Sequence, residues 1–521
     1  MLRKLLAFAL ALIVVGCTTL PEELPLGLPS QALAPQPGGP LAAAETALQA
    51  RLGPEGGPEV SGFHLLDANE AALRWRLALI DSAQHSLDLQ YYGWWGDESG
   101  ILLMSRVVAA ADRGVRVRLI VDDLTTNTLL EIAQERFSDS GLAIVAAHPN
   151  IAVRLFNPWR QRSLLGKLFE SIEHLDRVNQ RMHNKLLIAD NRAVILGGRN
   201  IGNEYFGLSP EFGFRDLDTL GLGPVARQAS EVFDRFWNSE QVVPAGRLGI
   251  AATPADLRQA FVGIDAALEA APRLERFEVA PQDWRDALGD LVQGMHAGSS
   301  RVLSDVPGVD EEEEVVHVMP ALIRDLLEQA ERDVTITNAY IVPDAAAIAW
   351  LRDQTGRGVR YRILTNSLAS HDVPAVNAHY KAWRDDFLAA GVELYETKPH
   401  AALQALVVDT PPVVAGFTGL HSKAMVIDGA RVFIGSMNLD PRSWRLNSEM
   451  GVVVESPGLA AELLANIERD MRPENAWQVV LDEDGDLAWI AGDERLDRQP
   501  ARHFWQRVED VLFMLLPKEI Y

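Results

Sequence analysis

One set of reactive residues occurs twice in this chain with the same spacing. The first copy is His183-Asn184-Lys185, then Asp190 after four residues, then Gly197-Gly198-Arg199-Asn200 after six more. The second copy is His421-Ser422-Lys423, Asp428 and Gly435-Ser436-Met437-Asn438, without insertion or deletion. A matched repeat of His, Lys, Asp, Gly and Asn indicates a duplicated fold that builds one composite active site.

Each copy can supply an imidazole, an ammonium and an amide to one site. Alternate residues of a strand face the same side, so a strand over 182–189 would direct His183 and Lys185 into one pocket. Asn200 and Asn438 add amide donors and are the candidate phosphate-binding residues. Two copies facing each other across a pseudo-twofold axis would suit a tetrahedral phosphate whose charge must be stabilised in a transition state.

The acidic member of each copy has a second possible role. The candidate catalytic residues are His183, Lys185, Asp190, His421, Lys423 and Asp428. The pairs Asp190-Asn191 and Asp428-Gly429 are, however, typical of hairpin turns. That position points to a structural role for the two aspartates.

Helical and strand-like segments alternate in the same order around both copies. In the first half, helices are predicted over 69–80, 101–113 and 131–140, and strands over 86–95, 115–123 and 151–157. In the second half, helices are predicted over 322–332, 346–354 and 376–390, and strands over 334–341, 357–364 and 392–396. This alternation predicts an α/β fold of two duplicated α-β-α halves, each with a central mixed sheet, packed about a pseudo-twofold axis.

Composition divides the chain further. We predict a signal peptide over 1–16, a Pro/Gly/Ala-rich tether without a packed core over 17–60, a first half over 61–242, a linker or insertion over 243–314, and a second half over 315–521. The apolar content of 48% allows a large core and argues against disorder. The formal charge of −24 makes the chain a poor general binder of nucleic acid, since phosphate binding depends on Lys and Arg. This counts against a nuclease but leaves a small, locally basic site possible.

The N-terminus has the pattern of an export signal. Arg3 and Lys4 precede an apolar run over 5–15, which is too short to span a bilayer comfortably. Cys17, the only cysteine of the chain, follows this run and excludes an intramolecular disulfide. The arrangement resembles a bacterial lipoprotein lipobox, so lipidated Cys17 would anchor the protein at a membrane of the bacterial cell envelope. The alternative is an ordinary signal peptide with an incidental cysteine.

The repeated set resembles the phospholipase D superfamily, whose signature is HxK(x)4D(x)6GxxN in two copies. The resemblance implies a two-step displacement through a phosphohistidine, with His183 as nucleophile and His421 as acid and base. Together with the lipobox-like N-terminus and the ending over 516–520, the two motifs are most similar to the C-type bacterial cardiolipin synthases. Members of that group transfer a phosphatidyl group onto phosphatidylglycerol.

The resemblance also implies an acidic residue about thirty positions after each histidine, which would orient the imidazole. In the second half Glu449 fits. In the first half Asp216 and Asp218 are both available, and matching the apolar residues that follow, 219–222 with 450–453, favours Asp218.

Substrate and partners follow less directly. Apolar segments over 164–172 and 401–417 precede the two motifs and would lie near the mouth of the site, or else pack on the core. The apolar positions over 508–516 follow helical spacing and predict core packing. Phospholipid substrates and a membrane surface are the expected partners, with no nucleic acid, no cofactor and no metal, since each motif histidine is followed by a lysine that repels metal ions. A hydrolytic phospholipase D, a nuclease and a non-catalytic scaffold remain alternatives, and the oligomeric state is undetermined.

Overall fold

A computed structural model gives the fold of the chain. It describes residues 26–53, 56–123, 139–162, 166–167, 169–170, 174–248, 251–307 and 317–514. Cys17 and the predicted signal peptide lie outside these ranges. Within them, no helix has both the length and the apolar character needed to cross a bilayer.

Helices and strands alternate along the described chain. The helices are α1 (Pro40–Leu52), α2 (Asn69–Ser82), α3 (Glu98–Asp112), α4 (Asp139–Ala146), α5 (Leu175–Asn179), α6 (Pro224–Trp237), α7 (Pro254–Phe261), α8 (Ile264–Glu269), α9 (Arg285–Gly294), α10 (Val318–Glu328), α11 (Ala345–Gly356), α12 (Pro374–Tyr380), α13 (Arg384–Ala389), α14 (Pro441–Arg445), α15 (Pro457–Asp470) and α16 (Phe504–Phe513). The strands are β1 (Val60–Leu66), β2 (Ser86–Tyr91), β3 (Arg116–Asp122), β4 (Ile151–Phe156), β5 (Lys185–Ala189), β6 (Ala193–Gly197), β7 (Gly213–Arg215), β8 (Asp218–Leu222), β9 (Val242–Pro244), β10 (His296–Ser304), β11 (Asp333–Asn338), β12 (Arg360–Asn366), β13 (Glu393–Thr397), β14 (Thr418–Leu420), β15 (Lys423–Ile427), β16 (Arg431–Gly435), β17 (Met450–Glu455), β18 (Ala476–Leu481), β19 (Leu487–Ala491) and β20 (Glu494–Leu496).

Eighteen strands form one continuous mixed sheet. The strand order is β9-β4-β3-β2-β5-β6-β8-β1 and then β10-β17-β16-β15-β11-β12-β13-β18-β19-β20. The parallel pairs β2–β3 and β3–β4 of the first half correspond to β11–β12 and β12–β13 of the second. The predicted duplication and mixed sheet are therefore confirmed, with the two central sheets joined edge to edge.

The junction is the antiparallel pair β1–β10, where Gly62 lies opposite Ala297. On its other side, β1 pairs with β8 of the first half, and β10 pairs with β17, the strand of the second half that corresponds to β8. Two equivalent strands that pair antiparallel are related by a local twofold axis, as in symmetric dimers. The segment 243–314, predicted as a linker or insertion, thus contributes β10 to this junction as well as the helices α7, α8 and α9.

Helices and loops pack on both faces of the sheet, and on one face a single core cluster includes helices from both halves. Leu186 and Ile188 of β5 belong to a central core cluster that includes Phe233 of α6 and Leu463 of α15. The alternate residue Leu187 packs in a separate cluster of the first half. Strands buried on both faces have near-continuous apolar sequences, as the sequences of β5 and β15 do.

Most predicted elements have counterparts, with two differences. The predicted helix over 376–390 is two helices, α12 and α13, joined by a 3-10 turn at Lys381–Trp383. Lys381 at this break donates its Nζ to Asp510 of α16, a tertiary contact that local periodicity does not encode. The predicted helix over 131–140 falls mainly on residues 124–138, outside the described part of the chain.

The prediction of a tether without a packed core is wrong for its described part. Helix α1 buries Leu41 and Leu48 in the core of the first half, and its Glu45 forms an ion pair with Arg192. Ahead of α1, the backbone N–H of Ser30 donates to the side chain of Asn238. Leu41, Ala44 and Leu48 form the apolar part of the packing face, so a composition that resembles a linker includes a docked helix.

Asp190 and Asp428 occupy equivalent turns, each with positive φ, at the far end of the strand from the motif lysine. The carboxylate of Asp190 accepts hydrogen bonds from the backbone N–H groups that open β2, at Gln84, His85 and Ser86. Asp428 accepts the equivalent bonds from Glu331, Arg332 and Asp333 ahead of β11. Including these aspartates among the catalytic residues was therefore wrong, and their turn positions had indicated the structural role.

We expect Asp190→Ala to lower stability without a selective effect on turnover. Three buried or half-buried backbone N–H groups would lose their acceptor, which costs roughly 1–3 kcal/mol of unfolding free energy. Thermal unfolding followed by circular dichroism, with turnover measured per folded molecule, tests this. Asp112→Ala is the matched control, since that aspartate is 70% exposed. An unchanged unfolding midpoint with lost turnover would contradict the structural role.

Candidate active site

The two motif histidines are held in place by the opposite halves of the molecule. The backbone N–H of His183 donates to the carbonyl of Ser448, and that of His421 donates to the carbonyl of Arg215, both at 2.8 Å. The strand predicted over 182–189 begins only at Lys185. Ahead of it, Met182 pairs with Ser448 of the other half in an isolated β-bridge. The site thus forms where chain from one half crosses to the other.

Each imidazole also receives its carboxylate from the opposite half. His183 Nδ1 lies 2.9 Å from Glu449 Oε2, and His421 Nδ1 lies 2.6 Å from Asp216 Oδ2. Both carboxylates are fully buried. A carboxylate on Nδ1 fixes the tautomer of the ring and leaves Nε2 available for attack or proton transfer.

The prediction that Asp218 orients a histidine is wrong. Asp218 forms buried ion pairs with Arg76 at 2.9 Å and Arg199 at 3.1 Å. In the sheet Asp218 lies opposite Gly197, as Gly451 lies opposite Gly435. Glu449 therefore corresponds to Asp216. A shift of two residues leaves every side chain on the same face of a strand, so the apolar pattern could not distinguish the two alignments.

The residue directly after the first motif glycine contacts or makes room for the carboxylate in each half. A Cβ atom at Gly198 would lie 2.1 Å from Asp216 Oδ1, so only glycine leaves room for that carboxylate. At the equivalent position Ser436 donates its Oγ to Glu449 Oε2 at 2.5 Å. Sequence reasoning missed Ser436, and its place directly after the motif glycine was the available signal.

The motif lysines are buried beside the histidines and under aromatic rings. Lys185 donates its Nζ to the backbone carbonyl of His183 at 2.6 Å, and Lys423 makes the same bond to His421. Lys185 Nζ lies 5.1 Å from the ring of Tyr92, and Lys423 Nζ lies 5.9 Å from the ring of Tyr340. Such rings stabilise a cation where water is excluded, and sequence reasoning identified neither tyrosine.

The two motif asparagines differ in their hydrogen bonding. Asn200 accepts from the backbone N–H of Gly93 and donates to the hydroxyl of Tyr205 at 2.9 Å. The Tyr205 ring packs edge-on against His421, with centroids 5.3 Å apart. Asn438 is buried, and its Oδ1 has no hydrogen-bond partner among the described residues. Asn438 thus has an acceptor oxygen without a partner, whereas the oxygen and the nitrogen of the Asn200 amide are both engaged.

Burial and the paired lysines lower the pKa of both imidazoles. The pKa of His183 lies well below its ordinary value, because burial disfavours the charged ring and Lys185 and Lys423 repel it. The pKa of His421 is lowered by burial and by Lys423, but Asp216 opposes the shift. His421 is therefore the easier of the two histidines to protonate.

The two carboxylates shift in opposite directions. Burial raises the pKa of Glu449 to about 7, although Lys185 and Ser436 oppose the shift. Burial would also raise the pKa of Asp216, but His421 and Lys423 hold it below the ordinary range. Burial lowers the pKa of Lys423 to about 8 against the attraction of Asp216. The His421 side of the site thus keeps an ionised carboxylate, while the His183 side can share a proton.

In the part of the chain that the structure describes, no three His, Cys, Asp or Glu side chains are arranged to hold a metal ion. Metal-independent chemistry remains a prediction. The lysines, asparagines and histidines of the two motifs are the groups that surround the site.

Comparison with known proteins assigns the chain to a family. The family described as "Cardiolipin synthase, PLD-like domain" matches residues 77–237 and 323–471, one segment in each half. This chain belongs to that family. Each matched segment of the cardiolipin synthase family contains one complete motif and one of the two acidic residues that contact the histidines.

Similarity to individual proteins extends over most of the chain. Cardiolipin synthase C of Escherichia coli (strain K12) is 36% identical over 470 residues, which cover 89% of this chain and 96% of that protein. An uncharacterised protein of Helicobacter pylori (strain J99) is 30% identical over 81% of this chain and 82% of its own length. The crystal structure of phosphatidylserine synthase from Haemophilus influenzae has a TM-score of 0.55 at 13% identity, covering 83% of this chain and 91% of that chain. The resemblance to the C-type cardiolipin synthases is confirmed.

We expect Asp216→Asn and Asp218→Asn to affect different properties. Asp216→Asn should reduce turnover by about 10²–10⁴-fold with a small change in unfolding midpoint, because the His421 ring loses its orienting anion. Asp218→Asn should instead lower stability by roughly 3–5 kcal/mol, because Arg76 and Arg199 would stay buried without their counter-ion. Steady-state kinetics and thermal unfolding of both variants test this. Equal losses of turnover per folded molecule would contradict the pairing of Asp216 with His421.

Proposed function

We propose that the protein transfers a phosphatidyl group between phospholipids, making cardiolipin and glycerol from two molecules of phosphatidylglycerol. The observation that carries the proposal is the pair of histidine–carboxylate contacts, each made between the two halves around one buried cationic site. Similarity to cardiolipin synthase C over 96% of that protein supports the substrate class.

In the first step, His183 Nε2 attacks the phosphorus of the donor lipid. The P–O bond to the head-group glycerol breaks, and His421 donates its Nε2 proton to the departing oxygen. The phosphatidyl group is then bound to His183 as a phosphohistidine. Lys185, Lys423 and Asn438 supply the positive charge and the amide that stabilise the equatorial oxygens of the transition state.

In the second step, His421 removes the proton from a hydroxyl of the acceptor lipid. The acceptor oxygen attacks phosphorus, the P–N bond breaks, and His183 regains its lone pair. Protons and bonds balance over the two steps, because the proton given to glycerol is recovered from the acceptor. One site performs both transfers, as the composite architecture requires.

The electrostatics support this division of roles. A nucleophile must be unprotonated, and the pKa of His183 is the more strongly lowered of the two. An acid must carry a proton, and ionised Asp216 favours an imidazolium at His421. The bond from Ser436 to Glu449 keeps that carboxylate in place on the other imidazole without requiring it to be fully charged.

We also propose that the protein is a lipoprotein of the bacterial cell envelope, anchored through lipidated Cys17 after removal of residues 1–16. This rests on the sequence alone, since Cys17 lies outside the described residues.

Of the apolar segments expected near the site, 164–172 is described only at residues 166–167 and 169–170. In the segment 401–417, Val413 is buried while Leu406 and Val414 are more than 70% exposed.

We expect phosphatidylglycerol vesicles to yield cardiolipin and free glycerol, with phosphatidic acid as a minor product. A dry, lipid-facing site protects a phosphohistidine from water, so that an alcohol acceptor competes well. Mass spectrometry of the lipids and an enzymatic glycerol assay measure the ratio. His183→Ala is the matched control for background cleavage. Phosphatidic acid as nearly the sole product would replace the transferase with a hydrolytic phospholipase D.

We expect a donor with an activated leaving group to separate the two histidines. Given a phosphatidyl nitrophenyl ester, His421→Ala should release about one equivalent of nitrophenol and then stall, because this leaving group needs no acid. His183→Ala should give no burst, since it lacks the nucleophile. Stopped-flow absorbance and intact-protein mass spectrometry follow the burst and the adduct. A burst from His183→Ala but not from His421→Ala would reverse the assignment.

We expect a bell-shaped dependence of kcat/KM on pH, with both limbs at or below the ordinary imidazole value of about 6.5. Activity falls on the acid side as His183 gains a proton, and on the alkaline side as His421 loses one; the apparent values belong to the pair. Asp216→Asn should move the alkaline limb further down, because it removes the anion that supports His421. A rate that keeps rising above neutral pH would exclude His421 as the acid.

A further inference from the structure

The C-terminal helix α16 packs with its polar side inward. Gln506 and Asp510 are each 1% exposed, whereas large apolar side chains on the same helix are between 51% and 69% exposed: Phe504, Trp505, Val511, Leu512 and Met514, the last directly after the helix. The prediction that the apolar positions over 508–516 pack in the core is therefore wrong for its described part. A surface helix of a soluble domain normally has the opposite arrangement.

Specific polar contacts fix this orientation. The carboxylate of Asp510 accepts from Asn377 Nδ2 at 2.6 Å, from Lys381 Nζ at 2.5 Å and from Gln499 Nε2 at 2.9 Å. Gln506 donates to the backbone carbonyl of Leu368 at 2.5 Å. Rotating the helix to bury its apolar face would leave these groups, including the ion pair, without partners, which is strongly unfavourable.

A basic depression of about 520 Å³ adjoins the helix. It is lined by Trp477 and by Arg495, Arg498 and Arg507 among others, and by one carboxylate, Asp497, which pairs with Arg495 at 2.8 Å. Arg495 also pairs with Asp482 at 2.8 Å, whereas Arg498 and Arg507 form no ion pair with a carboxylate of the described residues. These two arginines give the depression its positive charge, in a chain whose formal charge is −24.

This surface connects directly to the rim of the site. The guanidinium of Arg502 lies 3.7 Å from the ring centroid of Phe417 and donates to the backbone carbonyl of His371. The His371 ring stacks on Tyr340 with centroids 5.2 Å apart, and Tyr340 is the ring over Lys423. Arg502, His371 and Tyr340 therefore link the start of helix α16 to a motif lysine.

We propose that the apolar face of α16 and the adjacent arginines form a docking surface for a bilayer that contains anionic phospholipid. This proposal depends on the proposed function in one respect, which is that the phospholipid substrate lies in such a bilayer. Aromatic and aliphatic side chains enter the interfacial region, and arginines at the edge attract lipid phosphates. Charge complementarity favours this occupant, because Arg498 and Arg507 attract an anionic surface that the acidic remainder of the chain repels.

Docking through α16 would bring lipid head groups to the second-half rim of the site, beside Tyr340 and Lys423. In the sequence, this surface lies near the C-terminus, far from the predicted anchor at Cys17. The anchor would keep the protein near a membrane, whereas α16 would set the orientation in which the site meets it.

A single fluorescent label tests the contact. Because Cys17 is the only cysteine, Cys17→Ser combined with Leu512→Cys allows a polarity-sensitive dye to be attached at one position of the full chain. We expect its emission to shift to the blue on phosphatidylglycerol vesicles, and less on phosphatidylcholine vesicles. The matched control is Val262→Cys, since Val262 is 72% exposed in the segment between the halves. A water-like spectrum at position 512 on vesicles that the enzyme turns over would overturn the proposal.

A functional variant completes the test. Phe504→Ser/Trp505→Ser/Leu512→Ser changes only exposed side chains and should reduce turnover on vesicles by about tenfold or more, since several apolar side chains would lose their burial in lipid. Turnover of soluble, short-chain phosphatidylglycerol should stay unchanged. The proposal would be overturned if the variant turned over vesicles as fast as the unchanged protein, or if it lost equal activity on vesicles and on the soluble lipid. It would also be overturned if the variant bound vesicles normally but no longer self-associated. Insertion of the dye without any cardiolipin formation would instead refute only the proposed function.

Discussion

The hydrogen bond between each motif histidine and a carboxylate of the opposite half is the interaction on which the site depends. Neither half can build a functional imidazole alone, because Glu449 serves His183 and Asp216 serves His421. The continuous sheet explains how this is possible. Pairing of β1 with β10 fixes the two halves about a local axis, and the backbone bonds from the histidines to Ser448 and Arg215 set the final register.

Duplication has produced two similar dyads with different electrostatics. The first half has Gly198 and the shorter Asp216, and the second has Ser436 and the longer Glu449. Burial raises the pKa of Glu449 although Ser436 opposes the shift, whereas His421 and Lys423 lower the pKa of Asp216 against the effect of burial. A double displacement needs one imidazole free and the other protonated, and the different surroundings of the two dyads favour the proton on His421. The departure from symmetry thus assigns the two roles of the proposed reaction to particular histidines.

The same fold relates the site to its surroundings. The loop that contains His371 contacts Tyr340 on one side and Arg502 on the other, so the rim of the site and helix α16 are held as one unit. Buried polar residues of α16 keep its apolar side outward. An enzyme that acts on lipids needs both a catalytic site and a way to present an insoluble substrate, and here the proposed docking surface lies beside the second-half rim of the composite site.

The sequence by itself determined the duplicated α/β plan, the motif residues and the family, because the spacing of His, Lys, Asp, Gly and Asn is a local property of the chain. It also indicated that Asp190 and Asp428 lie in turns. Tertiary structure alone decided that the dyads cross between halves and that Asp216 and not Asp218 contacts a histidine, since a two-residue shift preserves strand facing. It also decided that α1 packs on the core and that α16 turns its polar side inward. Periodicity defines the two faces of a helix, but which face is buried in α16 depends on the tertiary contacts of Asp510.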